Sequence, residues 1–176
     1  MGIDPSLTGT GVVVSDPSGE LLLVRCYAST PSLSDMGRVR QLNELIWTDL
    51  DPFMSDDCLV CFEGYSMGSP NQGKIYARAE LAGVLKYTCV EYYERPYIMV
   101  PPTSIKAFIG MERFKENRVH KKDAKKETAR LVADIYDFRH DDDNIVDGFI
   151  LARYAQACCS DDAPNHRNVL ELPRKR

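Results

Sequence analysis

Residues 2–14 read GIDPSLTGTGVVV. Residues 2–5 and 9–15 form two strand-like segments around a turn, the second strongly β-branched. Asp4 ends the first segment among glycines at 2, 9 and 11. DPSGE (16–20) supplies another turn, and LLLVRCYA (21–28) a third strand, so the chain opens as an antiparallel meander. Ser34 is placed to cap a helix running to about Leu50, with Met36, Val39, Leu42, Leu45, Ile46 and Leu50 at helical spacing. Cys58–Glu63 (CLVCFE) is a short apolar run without alternation, the pattern of a strand covered on both faces, and it closes on a second acid.

Beyond it, GYSMGSPNQGK (64–74) is a loop by composition, and a helix is expected over Ile75–Tyr92. Tyr97–Val100 is a short strand stopped by Pro101 and Pro102. Thr103–Gly110 suits a short helix, residues 111–122 are polar, and Lys122–Tyr136 and Asp143–Cys159 are two further helices. The order predicts an α/β domain over residues 1–160. It has a mixed five-stranded sheet, a meander followed by parallel strands, with helices on both faces. Residues 161–176 read as a loose C-terminal tail.

Four acids fall at telling places. Asp4 and Glu63 end strands, and Asp143 and Asp147, four apart in DDDNIVDGFILARYA, share one side of the last helix. Four carboxylates brought together repel one another unless a cation lies among them. A divalent metal site, and with it phosphoryl-transfer chemistry, is the economical reading.

The net charge of −4 would suit nucleic acid poorly if it were evenly spread, but residues 106–130 carry nine Lys or Arg against four Asp or Glu. Such a local basic face can meet phosphate on an acidic chain. No apolar run approaches the ~18 residues of a membrane span. No secretory signal opens the chain, so a cytoplasmic location with no membrane partner is expected. Cys58 and Cys61 form a CxxC with no second pair of ligands at zinc spacing, which favours buried, reduced thiols.

The ordered set GIDPSLTGTGVVV, an apolar strand ending in Glu63, PPTSIKAFIG, a lysine-rich helix start and DDDNIVDGFILARYA resembles the RuvC-like Holliday-junction resolvases, which are ribonuclease-H-like nucleases. The resemblance runs from about Gly2 to Ala157. Ser6 stands where the family commonly has Gly, and the stretch ERFKENRVH lengthens the lysine segment in the manner of phage-encoded members. The resemblance implies a homodimer that cuts four-way junctions symmetrically, with two Mg²⁺ or Mn²⁺ ions per site. Asp4, Glu63 and Asp147 match the family's acids. The fourth position falls on Asn144 in the bacterial spacing and on Asp143 in other branches. Asp143 is favoured as the better ligand, with Asp142 as helix cap or fallback.

Lys126 matches the catalytic helix-start lysine, with Lys122 as its rival; Lys121, Lys125 and Lys106 are further phosphate contacts. In the loop after Glu63, Tyr65 could stack on a base or pack in the core, and Met67 could wedge between bases. Lys74 and Arg78 could reach backbone phosphates. His140 adjoins the acids but reads better as a surface or packing residue. The helix over 75–92 carries Ala79, Ala82 and Gly83, suited either to a dimer interface or to its own sheet. Two other functions compete: a ribonuclease-H-like nuclease acting on RNA–DNA hybrids or general branched DNA, and a catalytically idle DNA-binding module. An actin-like ATPase needs a second nucleotide-binding half, for which 176 residues are too few.

Overall fold

Strand β1 (Gly2–Asp4) pairs antiparallel with β2 (Thr10–Ser15), and β2 with β3 (Leu21–Tyr27). The turn between β2 and β3 is held by Asp16, whose Oδ1 accepts from the Glu20 amide at 2.8 Å and from Ser18 Oγ at 2.7 Å. Gly19 supplies the left-handed residue there, at φ +94°. The structure is a computed structural model. It describes residues 1–65, 72–111, 121–160 and 169–171, with backbone alone at 72–74, 121–123 and 169–171.

Helix α1 (Asp35–Leu50) starts where expected: Ser34 Oγ accepts from the Gly37 amide at 3.2 Å. It buries Val39, Leu42, Ile46, Trp47 and Leu50, while Met36 and Leu45, read with that face, are exposed. Strand β4 (Val60–Glu63) lies parallel to β1, and β5 (Tyr97–Val100) parallel to β4. Between β4 and β5 runs α2 (Gln72–Tyr87), continued by a single π turn over Thr88–Tyr92. Helices α3 (Pro102–Phe108), α4 (Lys121–Tyr136) and α5 (Asp143–Cys158) follow.

The sheet order is β3-β2-β1-β4-β5-β6, the expected five strands plus one. The sixth, β6 (Val169–Glu171), pairs antiparallel with β5 and lies in the segment read as a loose tail. Its three residues carry no periodicity long enough to be read from sequence.

Strand residues alternate between two cores. Ile3, Val12, Val60, Phe62 and Tyr97 face α1 and α2, with Leu42, Ile46, Leu81 and Leu85. Val13, Cys61, Ile98 and Val100 face the other side, with Ile105, Val132, Phe149 and Ile150. Because both faces are covered, the strands read as continuous apolar runs. The same alternation parts Cys58 and Cys61 into different cores, and none of the six cysteines is in a disulfide. Among the described residues no helix is long and apolar enough to cross a membrane.

Candidate active site

The parallel register pairs Ile3 with Phe62, so the residues that follow them, Asp4 and Glu63, end neighbouring strands side by side. Ile3 and Phe62 point into the α1/α2 core, so Asp4 and Glu63 project to the opposite face, the side on which α5 lies.

Glycines bring α5 onto that face. A Cβ at Gly2 would lie 2.1 Å from the Gly148 carbonyl oxygen and 2.3 Å from the Ala152 nitrogen; one at Gly11 would lie 1.7 Å from the Asn144 oxygen. Gly11 is also the register partner of Asp4. The first turns of α5 therefore rest over the end of β1, which carries Asp147 into range of Asp4. Burial, followed by the Asp4 charge, pushes the Asp147 carboxyl up to about 7; Lys125 opposes this, Asp143 adds to it, and Arg78 opposes it more weakly. Asp4 itself is buried, and burial raises its pKa against the pull of Arg78.

Arg78, from α2, donates to both Asp4 and Glu63 through one guanidinium nitrogen, while its Nε is buried without a partner among the described residues. Among the described residues no three Asp, Glu, His or Cys side chains are grouped to hold a cation as they stand. The positive charge between the two strand-end acids is the guanidinium. An all-carboxylate donor set of Asp4, Glu63 and Asp147 nonetheless suits a hard divalent ion such as Mg²⁺ or Mn²⁺.

The neighbours at the start of α5 have separate duties. Asp142 is the N-cap: its Oδ1 accepts from the Asn144 amide at 2.9 Å and from Asn144 Nδ2 at 2.8 Å. The Asn144 side chain is thus engaged in the cap, against Gly9. Asp143 instead accepts from Lys125 Nζ at 2.6 Å. This pair is half-exposed and lies at the rim, and the Lys125 charge reaches Asp4 and Asp147. His140 is tied into the same turn: its Nδ1 accepts from the Asp142 amide, and its ring stacks on Phe138.

The other named residues are dispersed. Lys126 is exposed on α4, and Lys106 is exposed on α3. Tyr65 is half-buried against α2, with the Lys86 ammonium 5.6 Å from its ring centroid. Met67 lies outside the described residues, as do the side chains of Lys74, Lys121 and Lys122. Sequence reasoning placed Arg78 against phosphate and missed its contact with the acids. Its spacing to Leu81, Ala82 and Leu85 puts it on the inward face of α2, a signal that was there to be used.

A pH prediction follows from Asp147. The folded state holds its proton more tightly than the unfolded chain, so this stabilisation is full below about pH 4 and is lost as pH rises through about 7. The contribution is about 4 kcal/mol at most. In melts of metal-free protein with EDTA, Asp147→Asn should match wild type near pH 4 and exceed it increasingly towards pH 8. Parallel curves would show that Asp147 titrates normally.

Two structures of RuvC share this fold. Thermus thermophilus RuvC in complex with Holliday junction substrate matches at a TM-score of 0.70 and 19% identity, covering 92% of this chain and 94% of that one. A further Thermus thermophilus RuvC structure matches at 0.67 and 20%, covering 90% and 93%. Fowlpox virus resolvase with Holliday junction DNA covers 89% and 97% at 17% identity, with a TM-score of 0.44. No protein-family model matches the chain, and no curated protein sequence does. At such identities the likeness carries the fold alone.

Proposed function

We propose that this chain is a divalent-metal-dependent endonuclease of the RuvC-like type that resolves four-way DNA junctions. The observation that carries the reading is the convergence at one sheet end of Asp4, Glu63 and Asp147, from two adjacent parallel strands and a glycine-seated helix. A purely structural role suits them poorly, because buried like charges destabilise a fold.

Asp4, Glu63 and Asp147 would hold Mg²⁺ or Mn²⁺, with Asp143 completing the second of two ion positions. Bound there, the ions supply Lewis acidity toward the scissile phosphate and lower the pKa of an attacking water. The chain's own residues do the rest. Asp147, which holds a proton up to about pH 7, releases it as positive charge arrives. The α5 cap built by Asp142 and Asn144 fixes the direction of the first helical turn. Lys125, at the rim beside Asp143, offers its ammonium to the phosphate oxygens as negative charge builds up on them. It takes the place that the resemblance assigned to Lys126, its neighbour in sequence. Lys106, with Lys125 and Lys126, would extend the positive surface along the DNA backbone.

Symmetric cutting needs two copies. The outward face of α2 presents exposed Tyr76 and Tyr87, with Gly83 between them, where an added Cβ would meet nothing within 4 Å. Ala82, in contrast, is buried in the chain's own core. The proposed dimer contact is therefore the tyrosine–glycine face, and sedimentation equilibrium at micromolar concentration tests it.

The deciding experiment offers labelled four-way junction, duplex, flap and RNA–DNA hybrid in Mg²⁺ or Mn²⁺. Paired nicks confined to the junction are expected. Equal cutting of plain duplex, or preference for the hybrid, would remove the junction reading. Within the same assay Asp143→Asn should lower the rate by about 10²-fold. Asn144→Ala should change it far less, since its amide serves the cap; the reverse order would exchange the two roles.

A further inference from the structure

We infer that Arg78 is an internal counter-ion that holds the acid cluster in the metal-free protein and has to leave for metal to bind. The inference rests on the metal-site reading above. It goes beyond it in assigning a role to a residue on a helix outside the acid set.

Three observations carry it. The Arg78 guanidinium bridges Asp4 and Glu63, the two carboxylates that end adjacent strands. Those carboxylates are 7% and 14% exposed, so solvent does little to neutralise them, and a cation between them stabilises their charged forms. The pose is also incomplete: a single terminal nitrogen serves both acids, and Nε is buried with no acceptor among the described residues. A permanent structural arginine would be expected to use its planar fork on one carboxylate and satisfy Nε as well. One nitrogen set between two carboxylates instead occupies the position that a divalent ion shared by them would take, and both cannot be there together.

Metal binding is then an exchange of cations. The ion displaces the guanidinium, which can swing outward on the long Arg78 side chain, 31% exposed as a whole. The measured metal affinity is the ion's own, reduced by the work of removing Arg78. The arginine thereby prevents charge repulsion in the apo site and raises the metal concentration at which the site fills.

Mn²⁺ binding to the full chain, without DNA, tests this by electron paramagnetic resonance of the free ion. Arg78→Gln should bind Mn²⁺ about tenfold tighter or more, the removal of one charge-assisted contact. Arg78→Lys should fall between the two. Equal or weaker binding by a folded Arg78→Gln overturns the inference. Should that variant fail to fold, wild type suffices: the Arg78 Nε–H resonance should be protected from exchange in EDTA and should shift and lose protection as Mg²⁺ is added. A resonance unmoved at saturating Mg²⁺ overturns the inference while leaving the metal site in place. Absence of any Mn²⁺ binding by either protein overturns it together with the metal reading.

Discussion

Asp4→Asn is expected to lower junction cleavage by about 10³-fold or more while leaving junction binding and folding in place. The substitution keeps the shape of the side chain and removes only its charge. Asp4 is 5% exposed, so no solvent route replaces the lost ligand. The fold should tolerate the change, and even gain from it. Burial disfavours the Asp4 carboxylate, and its charge is the second-largest cause of the raised Asp147 pKa. In the variant, Arg78 keeps Glu63 as an anionic partner. Melting temperature in EDTA should therefore stay level or rise. Gel-shift affinity for the junction should persist, because the basic surface does not include Asp4. Retained cleavage would end the metal-site model. Lost binding together with a lowered melting temperature would assign Asp4 to the fold instead.

The second large effect is expected at Gly11. A methyl group there would lie 1.7 Å from the Asn144 carbonyl oxygen and 2.3 Å from its carbonyl carbon. Both are backbone atoms of the first turn of α5, so no side chain can turn aside and the helix as a whole has to lift. Overpacking of this rigid kind costs about 3 kcal/mol or more, or about 6–12 °C of melting temperature for a domain of this size. Gly11→Ala should also cut activity, because α5 carries Asp143 and Asp147, and a shift of about 1 Å in a catalytic group can lower a rate about 10²-fold. Gly83→Ala adds a methyl that meets nothing within 4 Å in its own chain, so a melting temperature lowered there would report the proposed dimer contact and not the seating of α5. A Gly11→Ala protein as stable and active as wild type would show that the close seating of α5 is dispensable.

Most of the architecture was legible in residues with local physical meaning. The β-branched run through Val12–Val14, the Ser34 cap and the unalternating CLVCFE strand each state their structure within a few residues, and the sheet follows from their order. Tyr97–Val100 was bounded by the two prolines. Helix ends moved by one to three residues where no cap marks them, as in the start of α2 at Gln72 rather than Ile75. The sixth strand was not legible, because three residues are stabilised by the edge of β5 that they join, and not by any pattern of their own.

The candidate site divides along the same line. That Asp4 and Glu63 end strands, and that Asp143 and Asp147 share a helix face, follows from sequence, because a strand end and an i, i+4 spacing are properties of the local chain. Sequence determined the kind of acid and the element bearing each. Only the tertiary structure decided which groups meet. It set α5 against glycines nine residues apart in the chain, turned the Asn144 amide into the cap, gave Asp143 to Lys125, and brought Arg78 across from α2 to stand between the two strand-end carboxylates. Those outcomes depend on distances between elements far apart in sequence. Such distances are set by how closely backbones pack and by where buried charge finds an opposite charge, and no local pattern encodes either.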